Sequence, residues 1–393
     1  MTLAAAEELA LAAEPGHAAL SARAEALRER AAAAARLPDP SLRAGIINFP
    51  IESGGFATEA MTQGQLGLRQ AFPPGDSLAA DARRYESLAA AMAQSADGRR
   101  RDVRAAVRSA WLSVRYWTEA RDIVTESRPF FTDLVTVTRS LYAVGRKDQQ
   151  DVLRAGLELS RLDDRLLGVE SRLAEARAAL SEWVGDAARR PLAPLDRDLA
   201  ILPSAAALQG ALDDHPALAA ADAEIAARRA AVELEEERYK PGWAVDLAYG
   251  YRDGRLPGGA PRSDFVSVSV TVDLPFLGRQ RRDSSLAAAL GERRAATNAR
   301  EQVRRQLRAR LDSALARWRE LGRRLELYDR QILEQTEDRA RAALAAYQSE
   351  TGDFADVMRG RIDELDARLE RARLQYERAE TWTVLASLGG IDR

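Results

Sequence analysis

Proline placement is the feature that most limits what this chain can fold into. Of its 15 prolines, all but Pro129 lie between residues 15 and 74 or between residues 191 and 275. A proline inside a helix removes a backbone hydrogen bond and costs about 3 kcal/mol. The stretches from 75 to 190 and from 276 to the end are rich in Ala, Arg, Glu and Leu, which favour helices. The sequence therefore predicts two long, almost uninterrupted helical regions.

Apolar residues in these regions recur with the spacing of a coiled coil. The steps alternate between three and four residues, for example from Leu159 to Trp183 and from Leu307 to Ile332. A sustained 3.5-residue period places apolar side chains along one seam that faces a partner helix, whereas an ordinary soluble bundle has shorter helices and wider apolar stripes. We predict long helices over 76–138, 148–184, 279–347 and 354–388.

The composition argues against several classes of function. The 58 Lys and Arg nearly balance the 60 Asp and Glu, so the basic excess of a nucleic-acid-binding protein is missing. The chain has no Cys and only two His, which leaves no thiolate metal site or Cys nucleophile and little basis for a His-based site. The sequence contains no stretch in which an acid, a base and a nucleophile lie close together. We therefore expect no enzymatic activity, no cofactor and no resident metal.

Short alternating stretches offer one route into a membrane. No run approaches the 18 or more apolar residues of a transmembrane helix. From Val266 to Leu274, however, apolar residues alternate with Ser, Thr and Asp, and the stretch from Trp243 to Tyr251 alternates in the same way. Runs of about ten residues suit tilted membrane strands with one face toward lipid and one toward a watery lumen. A β-sandwich face on a soluble core would explain any single strand equally well.

The first half of the chain contains a weaker version of the same pattern. Leu66, Leu68 and Phe72 alternate with polar or small residues, whereas the run 41–49 alternates poorly and leaves its facing open. We predict strands at about 41–49, 62–73, 242–252 and 264–275.

One order of features occurs twice along the chain. Each half begins with an Ala-rich helix broken at a proline (Pro15 or Pro216), continues with two strand-like runs and enters its long helix at a glycine (Gly75 or Gly278). The sequence predicts one structural repeat over residues 1–190 and a second over 204–393, joined by a proline-rich crossover linker at 191–203.

The same order of residues also marks a turn late in each half. A Tyr, a Gly and an Asp-Val pair follow one another in both. These residues are Tyr142, Gly145, Asp151 and Val152 in the first half, and Tyr347, Gly352, Asp356 and Val357 in the second. The spacing differs because Glu350 and Thr351 precede the second glycine.

Four strands per chain cannot form a membrane sheet alone. The two edges of an open sheet would leave backbone groups without partners in lipid, at several kcal/mol each. Several chains must then share one barrel, and three chains would give twelve strands with closed cyclic symmetry.

This arrangement resembles the TolC-like outer-membrane efflux protein family over essentially the whole chain. The helix–strand–strand–long-helix–helix repeat, the Tyr-Ala-Val-Gly turn followed by Asp-Val, and the Phe-Pro strand exit carry the resemblance. Four segments are also similar to the branch that serves heavy-metal efflux pumps (the CusC/CzcC type). They are Leu37 to Pro40, Asn48 to Pro50, Met61 to Gln63 and Gln70 to Asp76.

The resemblance implies a mainly α fold with a small β part. A homotrimer would form a twelve-stranded barrel in the Gram-negative outer membrane, continued by an α-helical tunnel in the periplasm. Its partners would be outer-membrane lipid, a periplasmic adaptor and an inner-membrane RND-type pump, and its cargo heavy-metal cations. Alternatives are a multidrug or type I secretion channel of the same family, or a soluble coiled-coil adaptor or structural protein.

The resemblance also implies a site at the periplasmic tip, where paired helices converge on a closable aperture. The turns that would dock the adaptor contain Tyr142, Gly145, Val152, Tyr347, Gly352 and Val357. The charges expected at the gate are Asp356, Asp353, Asp363, Arg359, Asp151 and Arg146. A ring of symmetry-related carboxylates attracts cations, and Lys147 and Arg361 could help to bridge neighbouring helices. Solvated helix-turn charges, worth at most about 1 kcal/mol each, are the plainer interpretation.

Two departures from the family are visible in the sequence. Arg359 stands where many relatives have a further acidic residue, so the charge pattern of the aperture differs. Met1 leads directly into an Ala-rich stretch without the basic and apolar regions of a signal peptide, and no Cys is present for lipidation. We expect an outer-membrane form of this chain to begin further upstream.

Overall fold

The computed structural model describes residues 1–146, 148–194, 202–349 and 351–391. Most of them are helical and one small antiparallel sheet is present, which confirms the prediction of a mainly α chain with a small β part. Two compact units form. One contains Met1–Ala18, Ala96–His215 and Arg304–Arg393, and the other contains Ala19–Ser95 and Pro216–Val303. Each unit takes segments from both halves of the chain.

The order of elements is the same in the two halves, except that the long helix of the second half is divided in two. The first half contains α1 (Leu3–Ala13), α2 (Pro15–Ala34), β1 (Ser41–Ile47), β2 (Gln63–Phe72), α3 (Ser77–Ala143) and α4 (Gln149–Val184). The second contains α5 (Ala205–Ala211), α6 (Pro216–Glu237), β3 (Trp243–Tyr251), β4 (Phe265–Val272), α7 (Arg279–Leu327), α8 (Leu333–Gln348) and α9 (Phe354–Gly389). Short 3-10 helices follow α4 and β4. Much of the predicted crossover linker, residues 195–201, lies outside the described ranges.

Helix α3 runs for 67 residues and includes Pro129. The proline frees the carbonyl of Thr125, four residues earlier. Both residues are on the exposed side of the helix, where water can satisfy that carbonyl. A single proline is therefore tolerated without ending the helix.

The predicted helix over 279–347 is not regular throughout, which corrects the sequence interpretation. A π-helical turn at Tyr328–Ile332 separates α7 from α8. Leu325 and Ala340 are both buried and lie 15 residues apart, one more than two heptads. A π turn inserts one residue into a helix, so it returns Ala340 to the buried face.

The sheet belongs to the unit formed by Ala19–Ser95 and Pro216–Val303, and its order is β1-β2-β3-β4 with every pair antiparallel. The central pair, β2 and β3, joins the two halves of the chain. Its register aligns apolar residues in rows, one of which is Leu42, Leu68, Leu247 and Val268. Since residues paired across strands share a face, one face is apolar and the other is small or polar.

The structure also assigns a facing to β1, which the sequence pattern left open. Leu42 pairs with Leu68 and Ala44 with Leu66, so Leu42, Ala44 and Ile46 lie on the apolar face. Arg43 and Gly45 lie on the polar face.

In the other unit, the predicted coiled-coil seams form the core. Leu162, Val169, Leu173 and Leu180 on α4 are buried, and Val169 packs in a cluster with residues of α3 and α9. Among the described helices, none is long and apolar enough to cross a membrane.

Candidate functional site

The turn between α3 and α4 ends its helix in a Schellman motif. The backbone N–H of Gly145 donates to the carbonyl of Tyr142, and that of Arg146 donates to the carbonyl of Leu141, both at 2.9 Å. Gly145 adopts a φ of 71°, in the left-handed region that favours glycine. A Cβ at this position would meet no atom within 4 Å, so the backbone conformation alone requires glycine.

The turn between α8 and α9 needs its glycine for a different reason. Gly352 does not have a positive φ. A Cβ there would, however, lie 2.8 Å from the Cβ of Ala346 and 3.0 Å from its carbonyl carbon. The N–H groups of Thr351 and Gly352 both donate to the carbonyl of Ala346 at 3.0 Å. The close approach of the backbone to the end of α8 therefore excludes a side chain.

Aromatic and apolar side chains are buried beneath this second turn. Tyr347 and Phe354 meet edge to face with ring centroids 5.8 Å apart, and Val357 is fully buried beside them. Burial raises the pKa of the Tyr347 phenol, and the carboxylates of Asp151 and Asp353 raise it further. The charge of Asp151, at the start of α4, thus acts on a phenol of the second turn.

The first turn exposes its apolar side chains. Tyr142 is 47% exposed, Val144 68% and Leu153 65%. The two turns thus differ in burial: Tyr347 and Val357 of the second are buried, whereas Tyr142 of the first is exposed and Val152 is half-buried.

The acidic residues expected at a gate have local partners in the single chain. Asp356 accepts from Arg359 one helical turn later at 2.7 Å, and both side chains are more than half exposed. Asp353 is the N-cap of α9, and its side chain accepts from the N–H of Ala355 at 3.3 Å. These two carboxylates therefore support the start of α9.

The remaining charges lie further along the helices. Asp363 on α9 pairs with Arg339 on α8 at 2.5 Å. Arg361 pairs with Glu364 at 2.7 Å and lies over the ring of Phe130 at 4.2 Å from its centroid. Lys147 and Glu350 lie outside the described residues.

Within one chain these charges belong to different helices and to the turns between them. Asp151 lies in the first turn of α4, Arg146 at the end of α3, and Asp356 in the first turn of α9. Among the residues that the structure describes, no group of three or more His, Asp or Glu is arranged to hold a metal ion.

Sequence reasoning missed three residues of this region. Arg339 was missed because its partner Asp363 lies 24 residues away on another helix. Val144 and Leu153 were missed because a 3.5-residue pattern does not distinguish an outward apolar residue from a seam residue. The available signal was their place in the repeated pattern, since Val144 precedes the turn glycine and Leu153 follows Val152.

The sheet is the second candidate surface. Its apolar face is open, with Leu42 70%, Val266 70% and Val268 68% exposed. The rows across it also include aromatic side chains, such as Tyr249 between Leu66 and Val266. The outer sides of β1 and β4 have no strand partner among the described residues. A broad apolar face and two open edges thus occur together on one sheet.

Residues 207–390 match the sequence model of the outer membrane efflux protein family. The match spans most of the second half of the chain. No curated protein sequence matches the chain.

Several solved structures share the fold. The outer-membrane channel OprN is 19% identical, with a TM-score of 0.82 over 99% of this chain and 90% of that chain. VceC, an outer membrane protein of Vibrio cholerae, is 18% identical, with a TM-score of 0.82 over 98% of this chain and 96% of that chain. CusC is 14% identical, with a TM-score of 0.85 over 98% of this chain and 91% of that chain. At these identities the likeness establishes the fold.

Proposed function

We propose that this chain, whose second half matches the outer membrane efflux protein family and whose fold is that of outer-membrane channels, is the outer-membrane conduit of an efflux system. The observation that carries the proposal is the sheet. Its apolar face is exposed in rows that run across all four strands, and both of its edges are open. An apolar face of this kind suits lipid, and open edges require further strands.

Three chains would supply those strands. The β4 edge of one chain would pair with the β1 edge of the next, and twelve strands enclose a lumen wider than the eight-stranded barrels that side chains fill. The polar face would line the water, the apolar face would meet outer-membrane lipid, and the paired helices would extend into the periplasm. The conduit would be passive, with energy supplied by an inner-membrane pump of the RND type.

The absence of native cysteine makes the proposed closure easy to test. Gly45→Cys on β1 is combined with Ser267→Cys, Ser269→Cys or Thr271→Cys on β4, and outer membranes are oxidised and analysed on denaturing gels. We expect covalent dimers and trimers with at least one pair. In the control pair, Gly67→Cys and Ala248→Cys, the two cysteines are register partners within one chain, so oxidation should give monomers. A monomer with every β1–β4 pair would contradict the shared barrel.

We further propose that the first turn docks the periplasmic adaptor. Its support is the exposure of Tyr142, Val144 and Leu153 beside the fixed turn at Gly145. Exposed apolar patches mark interaction sites, and an aromatic side chain such as that of Tyr142 is a common anchor of a protein interface. Site-specific photocrosslinking from Val144 should capture the adaptor, whereas crosslinking from Asp356 should be weaker. Equal capture from both positions would contradict this assignment.

The gate is proposed at the acidic residues of the second turn. In a trimer, three copies of Asp356 would form a ring that attracts cations, with Asp353 and Asp151 adding to the negative field, whereas Asp363 is largely neutralised by its pair with Arg339. Arg359 holds Asp356 in the single chain and would limit that attraction. Asp356→Ala should change the cation selectivity or the leak of the closed conduit. Unchanged selectivity and leak would remove Asp356 from the gate.

Heavy-metal cations are the proposed cargo, with drugs or secreted proteins as the alternatives. The support is the similarity of four sequence segments to the heavy-metal branch, whereas the TM-scores to OprN, VceC and CusC are too close to separate branches. A deletion strain tested in parallel against metal salts and hydrophobic drugs discriminates among them. Sensitivity to metal salts alone supports the metal branch, and sensitivity to drugs alone contradicts it.

A further inference from the structure

The polar face of the sheet contains few charges. Along the four strands, the charged residues on this face are Arg43 on β1, Arg69 on β2 and Asp246 on β3. Arg69 and Asp246 are direct partners in the β2–β3 register, and their side chains lie 3.9 Å apart. This pair is neutral as a unit, which leaves Arg43 as the one unpaired charge on this face within the four strands.

That remaining charge belongs to Arg43. Its partner in the register is Gly67, and the same row continues through Ala248 to Ser267. The side chain is exposed, and among the described residues no hydrogen bond or ion pair to it occurs. The neighbours of this guanidinium in its row are therefore small and neutral, and none of them can form an ion pair with it.

We propose that Arg43 determines the ion selectivity of the strand-lined part of the conduit and makes it favour anions. The inference rests on the proposed function, because it requires the polar face to line a shared lumen. Three chains would then place three Arg43 guanidinium groups at one level of the lumen. Rings of Arg or Lys are characteristic of anion-conducting pores, and a lumen with low-dielectric walls strengthens the field of such a ring.

The charge of this level is opposite to that of the acidic turn at Asp356. A bare divalent cation would meet a repulsive ring on its way out, whereas a neutral or anionic species, including a cation bound in an anionic complex, would not. Heavy-metal cations would therefore cross the strand level more readily as neutral or anionic complexes than as bare ions.

The test is the reversal potential of purified, reconstituted protein in planar bilayers under a potassium chloride gradient. Arg43→Gln should lower the chloride-to-potassium permeability ratio about twofold at low salt, and Arg43→Glu should lower it further. Arg43→Lys keeps the charge and should keep the native ratio. Arg30→Gln removes the same charge from an exposed position on α2 and should also keep it.

Each outcome decides the inference. An unchanged chloride-to-potassium permeability ratio in Arg43→Gln overturns it. An equal shift of the ratio in Arg43→Lys and Arg43→Gln also overturns it, because the side chain would then act through its shape on an edge strand rather than through its charge. A native protein that conducts with the expected ratios supports both the conduit and Arg43. A native protein that does not conduct overturns the proposed function, and this inference with it.

Discussion

The rings of Phe72 and Trp243 stack across the junction between β2 and β3, with centroids 4.1 Å apart and planes within 12° of parallel. The two residues are partners in the strand register. Phe72 ends its strand immediately before a proline and Trp243 begins its strand immediately after a glycine. One residue comes from each half of the chain, so this contact joins the two halves in one sheet at the point where strands give way to helices.

Trp243→Ala should weaken the sheet where the halves meet. An aromatic pair contributes about 1 kcal/mol beyond its buried area, so we expect the oligomer to dissociate at a lower temperature on semi-native gels. Trp243→Phe should retain most of the stability. Phe276→Ala removes an exposed ring outside the sheet and serves as the control. Equal dissociation temperatures for Trp243→Ala and the native protein would contradict a structural role for the stack.

Gly145→Val should disrupt the first turn through the backbone alone. A β-branched residue at a φ of 71° is strained by about 1–2 kcal/mol, although no neighbouring atom obstructs the side chain. Thermal unfolding followed by helical circular dichroism measures the loss, and capture of the adaptor should fall with it. Gly156→Ala, inside α4 with open space around it, should be neutral or slightly stabilising. If the two variants were equally stable, the turn would not depend on its positive φ.

Gly352→Ala should destabilise the second turn by overlap instead. The added Cβ would lie 2.8 Å from the Cβ of Ala346 and 3.0 Å from the backbone N of Tyr347, and such overpacking costs about 1–3 kcal/mol. Gly168→Ala, again in open space on α4, is the matched control. Chemical denaturation of both variants provides the comparison, and a midpoint for Gly352→Ala equal to that of the control would show that the turn can relax.

The stability of the chain should fall as the pH decreases from about 6.5 toward 4, in part because of His215. Burial and the charge of Arg101 lower the pKa of this imidazole to about 4. Below pH 6.5 the imidazole is protonated in the unfolded chain but stays neutral in the folded chain. Its contribution to the free energy of unfolding is therefore complete above pH 6.5 and is lost as the pH falls toward the folded pKa. Since solvent screens this partly exposed group, we expect about 1–2 kcal/mol.

His215→Gln should flatten that part of the pH profile. Unfolding midpoints measured at several pH values between 4 and 7 provide the comparison. A native and a variant profile with the same slope would contradict the half-buried, neutral state of His215.

Much of the helical architecture could be predicted because local rules determine it. The scarcity of proline predicted the long helices, and the heptad pattern identified the buried seam of Leu162, Val169 and Leu173 on α4. The π turn at Tyr328–Ile332 was missed because Tyr328 and Ile332 keep the three- and four-residue steps. The register change appears only when Leu325 and Ala340 are known to be buried on the same seam.

The candidate site was less predictable because it depends on contacts between elements. The order of residues located both turns, but it could not indicate that Tyr347 is buried while Tyr142 is exposed. The facing of β1 required its pairing with β2, since Gly45 and Ala44 interrupt the alternation. Arg43 gained its significance only when Arg69 proved to be paired with Asp246.

The most direct test of the account is conductance of the purified, detergent-extracted protein in planar lipid bilayers. The account predicts that the protein leaves the outer membrane only with detergent, remains a trimer, and inserts to give discrete ion-conducting steps. A full-length protein that is monodisperse and soluble without detergent, and that gives no conductance, would contradict the central claim that four exposed strands from each of three chains form a channel wall.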